Sequence, residues 1–249
     1  METPRLDAFL VARGDFPSRA RAQAAIKAGH VKLNGASATK PSASVPVGAD
    51  VAVDGDAHDF VSRGGVKLDA ALAQFDIDPS GRHCLDLGAS TGGFTDVLLR
   101  RGAASVVCID VGAGQLHPSL VADRRVVSHE KTNAKDLTAA LAGAPDLIVC
   151  DLSFISLTKA LPAALAIAAP TARLIALVKP QFEVGPKHIG KGGIVKDVDG
   201  VVRRAVNDVA AWLDRQEGWR VIGVIDSPIK GGDGNREFLM AGEKRGGDV

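Results

Sequence analysis

The chain has 249 residues, a net charge of +1 and 46% hydrophobic residues, which suits one large domain or an ordinary domain with a small companion. The most apolar stretch, between Lys159 and Lys179, is broken by Pro162, Pro170 and Arg173, so it reads as a helix followed by a strand and not as a membrane span. Eight phenylalanines, two tryptophans and no tyrosine leave the packing to Ala, Val, Leu and Ile and argue against nucleic-acid binding by base stacking on an aromatic platform.

The first forty residues hold seven basic side chains against three acidic ones, and residues 41–60 hold four acids and no base. Leu6, Phe9 and Leu10 give Arg5–Val11 the spacing of an amphipathic helix. A second helix is expected from the cap Ser18 to Gly29, with Arg19, Arg21 and Lys27 on its other face. His30 to Gly35 alternates as a short strand closed by Asn34-Gly35, and another strand is expected near residues 50–53. Basic residues on one helix commonly form a solvated face. Here they stand within a longer pattern, Arg-Leu-Asp and then Ser-Arg-x-x-Ala-x-x-x-Ile-x-x-Gly-x-Val-x-Leu-Asn-Gly. Over Pro4 to about Val53 this resembles the small α+β S-four-like RNA-binding domain shared with a small-subunit ribosomal protein. The resemblance implies that Arg5, Arg19, Arg21, Lys27 and Lys32, joined by Arg63 further on, face RNA phosphates. Such contacts position a protein and carry little sequence information.

A new unit begins at Phe60-Val-Ser-Arg-Gly-Gly-Val-Lys67, where Gly64 and Gly65 read as a hinge and Lys67 enters a helix with Leu68, Leu72 and Phe75 on its apolar face. The domain layout expected is therefore 1–59, a linker at 60–65, and 66–249. Strands are expected near 83–87, 105–110, 126–129, 146–151, 172–179, 219–226 and 236–241, with helices in the longer gaps. That alternation gives an α/β fold, a mostly parallel sheet covered on both faces, which binds ligands beyond the carboxyl ends of its strands. Cys84, Cys108 and Cys150 fall in these strands, are odd in number and lack metal-ligand spacing. They read as reduced core thiols of a cytoplasmic protein, and no signal peptide precedes the first helix.

The segment from Cys84 to Asp110 is a strand, a glycine-rich turn, a helix and a second strand ending on an aspartate. Small residues at Gly88, Ser90, Gly92 and Gly93 let the backbone approach a ligand, and Asp110 lies where a carboxylate can bind ribose hydroxyls. A dinucleotide turn needs glycine where Ser90 stands, so Asp-x-Gly-x-x-x-Gly-Gly at 86–93 fits S-adenosylmethionine, which has no pyrophosphate. Asp86, Gly88, Ala89, Ser90, Gly92, Gly93, Phe94, Thr95, Asp110 and Asp151 form the expected cofactor set. No metal is expected.

A lysine ending the strand Leu-Ile-Ala-Leu-Val resists burial without a partner, and Asp151, ending a neighbouring apolar strand, can pair with Lys179 either structurally or in a site. With Lys67 and with Glu237 of Asn-Arg-Glu-Phe-Leu these residues form a Lys-Asp-Lys-Glu tetrad. Such a tetrad on a Rossmann-like S-adenosylmethionine-dependent methyltransferase fold resembles the FtsJ-like ribose 2′-O-methyltransferases. With an S-four-like module in front, the chain is similar to the TlyA family along essentially its whole length, including Ser-Arg-Gly-Gly-x-Lys-Leu, Asp-Leu-Gly-Ala-Ser-Thr-Gly-Gly-Phe-Thr, Cys-Asp-Leu-Ser-Phe-Ile-Ser-Leu and Lys-Pro-Gln-Phe-Glu. The resemblance implies cytidine 2′-O-methylation of ribosomal RNA in one or both ribosomal subunits, with Lys67, Asp151, Lys179 and Glu237 catalytic. It also carries over Asn133, after the third strand, as an adenine contact, with a turn asparagine as the alternative.

The chemistry agrees with that implication. A 2′-hydroxyl is a poor nucleophile, so a base must take its proton or a cation must stabilise the developing alkoxide, and lysine serves either task. Lys179 is the expected proton acceptor, with Asp151 and Glu237 orienting the amines. Base amino methylation usually has Pro-Pro and an aromatic after its Asp or Asn, whereas Leu-Ser-Phe follows Asp151. Carbon-5 methylation needs a cysteine in the site, and Cys150 points away from its neighbour on a strand. Gly185–Lys196 reads as a loop above the cleft, either clamping RNA phosphates or simply solvated, and 231–234 as the tight turn that delivers Glu237. Two rival readings are a membrane-active haemolysin, a label that members of this family have carried, and a ribosomal RNA factor that binds without methyl transfer. No oligomer interface is legible, and a monomer is expected.

Overall fold

The computed structural model describes residues 3–13, 15–16, 18–27, 29–53, 60–198, 200–231 and 234–246, and the chain divides into two compact units, Met1–Asp59 and Phe60–Val249. In the first unit, α1 (Leu6–Arg13) and α2 (Arg19–Lys27) precede a three-stranded antiparallel sheet of β1 (Val31–Leu33), β2 (Ala36–Ser37) and β3 (Val51–Val53), in the order β2-β1-β3. Leu6, Leu10, Ala22, Ile26, Val31, Val45 and Val51 form its core. Ser18 caps α2, its Oγ accepting from the Arg21 amide at 3.4 Å. Asp7 is fully buried beside this core, and its carboxylate accepts from Arg5 at 3.0 and 3.1 Å, Gln23 at 2.7 Å and Arg19 at 3.2 Å. The Arg5 guanidinium, ahead of the Gln23 and Arg19 contacts, holds the Asp7 carboxyl well below the usual carboxylate range.

The second unit starts with α3 (Gly64–Gln74) and continues as β4 (His83–Leu87), α4 (Gly93–Arg100), β5 (Ser105–Ile109), α5 (Pro118–Val121), β6 (Val126–His129), α6 (Ala139–Ala142) and β7 (Leu147–Cys150). It ends with α7 (Leu157–Ala160), α8 (Pro162–Ile167), β8 (Arg173–Val178), α9 (Val201–Leu213), β9 (Trp219–Asp226) and β10 (Phe238–Lys244). The seven strands lie in the order β6-β5-β4-β7-β8-β10-β9; β10 runs antiparallel to both its neighbours, and the pairs from β6 to β8 are parallel. Every strand foreseen from the apolar runs is present, with ends displaced by at most a few residues.

Continuous burial of Leu147–Cys150 reflects a parallel strand covered on both faces. Strand alternation sends Cys84, Val106, Leu177 and Leu239 into one core cluster with Leu68 and Leu72 of α3, Phe94 and Leu98 of α4 and Leu120 of α5. It sends Leu85, Ile148, Leu174 and Met240 into another with Leu157, Leu165, Val206 and Leu213 from α7, α8 and α9 and with Leu161 between α7 and α8. Gly64 and Gly65, expected as part of a linker, are the first residues of α3. Glycine is required there by packing, since a Cβ on Gly65 would lie 2.5 Å from the Phe60 side chain. β4 has β5 on one side and β7 on the other, so the chain order reverses there and opens a crevice at the carboxyl ends.

Candidate active site

The turn after β4 coils tightly, with Gly88 at φ 81° and Ser90 at φ 48° in the left-handed region, before α4 begins at Gly93. Its start is tied to the next strand by the Gly88 amide, which donates to the Ile109 carbonyl at 2.8 Å. A Cβ on Gly88 would stand 2.6 Å from the Asp151 carbonyl oxygen, and one on Gly93 would stand 2.0 Å from Ser62 Oγ. The missing side chains therefore let three segments, Ser62–Gly64, the turn, and Asp151–Ser153, close around one cleft of about 200 Å³, with Lys67 and Lys179 also in its wall.

Of the residues assigned to the cofactor from sequence, Gly88, Ala89, Ser90, Gly93, Phe94 and Asp151 line this cleft. The others lie around or beneath it. Gly92 packs on Leu116 and Leu120. Asp86 and Thr95 are fully buried under the turn, where Thr95 Oγ1 donates to Asp86 Oδ2 at 2.6 Å and lies 3.1 Å from Cys108 Sγ. Burial raises the Asp86 carboxyl to about 7, with Asp151 and Asp110 adding to the shift and the Thr95 hydrogen bond opposing it. Asp110 braces the turn, accepting from the Ser90 amide on Oδ2 and the Gly112 amide on Oδ1, both at 2.7 Å. Exposed Asn133 caps the short 3-10 turn Ala134–Asp136, accepting from the Lys135 amide at 3.1 Å.

Three of the four expected catalytic residues are brought together by sheet register, and Lys67 comes from α3. Asp151 and Lys179 each follow the last residue of adjacent parallel strands, β7 and β8. Phe238 pairs with Val178, which sets Glu237 beside Lys179. The side chains form two ion pairs: Lys179 Nζ to Asp151 Oδ1 at 2.7 Å, and Lys67 Nζ to Glu237 Oε2 at 2.5 Å. Lys67 and Glu237 are only 8% and 5% exposed. Lys179 also donates to Ser153 Oγ at 2.9 Å. A second cavity of about 390 Å³ adjoins the first, walled by Ser153, Phe154, Lys179, Gln181, Phe182, Ile189, Gly192, Gly193 and Glu237. Cys150 is buried in the core on the face opposite Asp151, where burial pushes its thiol well up.

Several residues of the site escaped sequence reasoning. Phe154 is 91% exposed at φ 65°, its ring 5.2 Å from that of Phe182, although aromatics were too few to raise such an expectation. Glu183 holds the start of α7, accepting from Ser156 Oγ at 2.6 Å and the Leu157 amide at 2.9 Å. Buried Asn235 ties down the segment 185–196, accepting from the Val195 amide at 2.9 Å and donating to the Gly193 carbonyl at 3.0 Å. That segment is folded on itself through a bridge between Ile189 and Val195. The expected turn at 231–234 includes Gly232 and Asp233, which lie outside the described residues. A buried amide in a loop leaves no periodic trace, but polar residues flanking motif positions were a usable signal for Ser153 and Glu183.

The expected RNA contacts differ in their freedom. Arg5 and Arg19 are engaged with Asp7, Arg21 is half-buried, Lys32 sits in β1 and Lys27 is exposed. Arg63 donates to the Lys230 carbonyl at 3.0 Å.

Comparison with known proteins identifies the family. A family model described as FtsJ-like methyltransferase matches residues 60–244, and one described as S4 domain matches residues 4–51. Over 239 residues the chain is 49% identical to the 16S/23S rRNA (cytidine-2′-O)-methyltransferase TlyA of Mycobacterium tuberculosis, covering 95% of this chain and 88% of that one. A solved structure of a candidate hemolysin from Streptococcus thermophilus superposes with a TM-score of 0.76 at 39% identity, over 98% of this chain and 90% of that one. A candidate S-adenosylmethionine-dependent methyltransferase from Listeria monocytogenes shares the fold alone, with a TM-score of 0.55 at 15% identity over 74% of this chain and all of that one. The protein thus belongs to the FtsJ-like methyltransferases and, among them, to the TlyA family, in which an S4 domain stands before the methyltransferase domain.

Proposed function

We propose that this protein methylates the ribose 2′-hydroxyl of a cytidine in ribosomal RNA, in the 16S molecule, the 23S molecule or both, with S-adenosylmethionine in the smaller cleft. The observation that carries the reading is the pair of lysines, each held by its own carboxylate, in the wall of a glycine-built cleft at the carboxyl ends of the strands. The cleft fits that cofactor better than a dinucleotide, because both lysines in its wall are already neutralised and neither is left for a pyrophosphate. Gly88, Ala89, Ser90, Gly93 and Phe94 would hold the nucleoside, and Asp110 would shape the turn around it. Bound there, the cofactor supplies an electrophilic methyl group on a sulfonium.

The protein's own residues activate the acceptor. Lys179, as the amine, takes the 2′-hydroxyl proton, and Asp151 stabilises the ammonium that results. Lys67, held by Glu237, stabilises negative charge developing on the ribose oxygen. A general base typically contributes ~10²–10⁴ in rate, and alignment of the reacting atoms supplies much of the rest. The second cavity, walled in part by Lys179 and Glu237, offers room for the target nucleotide. The 1–59 unit, with Lys27 and its neighbours, would supply phosphate contacts that bring ribosomal subunits to the 66–249 domain in the cytoplasm.

Purified protein incubated with ribosomal subunits and tritiated S-adenosylmethionine should label RNA at cytidine 2′ positions. Absence of transfer would favour the binding-only reading. The Lys179→Ala variant should bind the cofactor normally and lose ~10²-fold or more in transfer rate. Full activity in that variant would remove Lys179 from the role of proton acceptor. The membrane-lytic reading is supported by the names of relatives alone, such as the candidate hemolysin from Streptococcus thermophilus; among the described residues no helix is long and apolar enough to cross a membrane.

A further inference from the structure

Ser153 and Lys179 are the two residues that line both cavities, so their contact stands at the boundary between the cofactor cleft and the space for the acceptor. Lys179 Nζ is held from two directions, by Asp151 Oδ1 at 2.7 Å and by Ser153 Oγ at 2.9 Å. A neutral amine carries two N–H bonds and one lone pair in a tetrahedral arrangement. An ion contact with Asp151 alone keeps the nitrogen near but leaves it free to rotate, exchanging an N–H bond with the lone pair. The hydrogen bond to Ser153 Oγ is directional and removes that freedom.

The backbone presenting Ser153 is anchored on both sides. The Asp151 amide donates to the Leu87 carbonyl at 2.9 Å, and beyond Phe154, itself in the left-handed region at φ 65°, Ser156 and Leu157 are held by Glu183. Glu183 lies four residues after Lys179, so the segments bearing the donor and the acceptor are tied to each other.

We propose that Ser153 is a positioning residue for methyl transfer: its Oγ takes an N–H bond of the Lys179 amine while Asp151 holds the nitrogen by charge alone, so the lone pair is left facing the ribose hydroxyl. The inference rests on the reading of Lys179 as proton acceptor. In the step concerned the O2′–H bond breaks and its proton passes to the Lys179 lone pair. The oxygen forms a bond to the methyl carbon, and the carbon–sulfur bond breaks with its electron pair remaining on sulfur.

The test compares Ser153→Thr with Ser153→Val, which have nearly the same shape and differ in the hydroxyl. Single-turnover methyl transfer to ribosomal subunits is measured at saturating S-adenosylmethionine and RNA, together with the Kd of each. Ser153→Thr should stay within ~3-fold of the parent protein, and Ser153→Val should fall ~10- to 100-fold in rate, with both Kd values unchanged. Equal rates for the two variants, or a loss in Ser153→Val that appears only as weaker binding, would overturn the proposal. Lys179→Ala run alongside separates the two ideas: if it stays active the proton-acceptor reading itself fails, whereas if it is inactive while Ser153→Val equals Ser153→Thr, only the role of Ser153 falls.

Discussion

Lys67 and Lys179 carry the same side chain in different surroundings, and the difference predicts different consequences of removing them. Lys67 meets Glu237, whose side chain is only 3% exposed, while Lys179 meets Asp151, whose side chain is 23% exposed although the Oδ1 facing the lysine is buried. Removing Lys67 strands a buried charge. The Lys67→Met variant should lose about 3–5 kcal/mol of stability in urea unfolding, and adding Glu237→Gln should recover most of it without restoring activity. Lys179→Ala should cost less than about 2 kcal/mol, so its activity loss can be read as chemistry. Asp86 makes a pH prediction of unusual sign for a carboxylate. Its folded value, raised to about 7, lies above the unfolded value of roughly 3.9, so between these limits the unfolded chain has released a proton that the folded chain keeps. Stability from this group therefore falls as pH rises through that window. Asp86→Asn, which still accepts from Thr95 but carries no charge, should flatten the decline of the urea midpoint between about pH 4 and 7.

At the scale of elements, the site depends on how short segments are terminated. α7 is a single turn whose start is capped by Glu183 from another segment, and the same contact fixes the exit from β7 that carries Asp151 and Ser153. Glu183→Ala should lower stability by about 1–2 kcal/mol, a Tm shift of roughly 2–8 °C, and should slow methyl transfer as well. A substitution that merely frays a remote helix would change the first quantity and leave the second alone. The elements themselves were legible because their signals are local: an apolar run such as Leu147–Cys150 must be a covered strand, and small residues after β4 must mark a close approach. The helix start at Gly64-Gly65 was not legible, because two adjacent glycines look alike whether they bend a chain or admit an aromatic ring, and the packing of Phe60 on Gly65 appears only in the fold.

For the whole molecule, affinity for RNA should reflect how the basic residues of the first unit are already committed. Lys27 is exposed, so Lys27→Ala should leave folding intact and lower the slope of log affinity against log salt by about 1 in filter binding with ribosomal RNA. Arg5 holds the buried Asp7, so Arg5→Ala should lower the unit's stability by about 1–3 kcal/mol in thermal unfolding, whatever it does to RNA binding. The sequence by itself determined the α/β class, a mostly parallel sheet, the strand positions and the glycine turn, because each leaves a mark in periodicity, spacing or motif, and the family resemblance proposed the four residues of the tetrad; the order of the strands and the antiparallel placing of β10 were not legible. Tertiary structure alone decided that Lys67 pairs with Glu237 and Lys179 with Asp151, that Asp86 and Thr95 lie beneath the cleft, and that Ser153, Glu183 and Asn235 hold its edges. The physical reason is that partner choice and burial depend on strand register and on contacts between residues as many as 170 positions apart, and no local pattern in a chain records them.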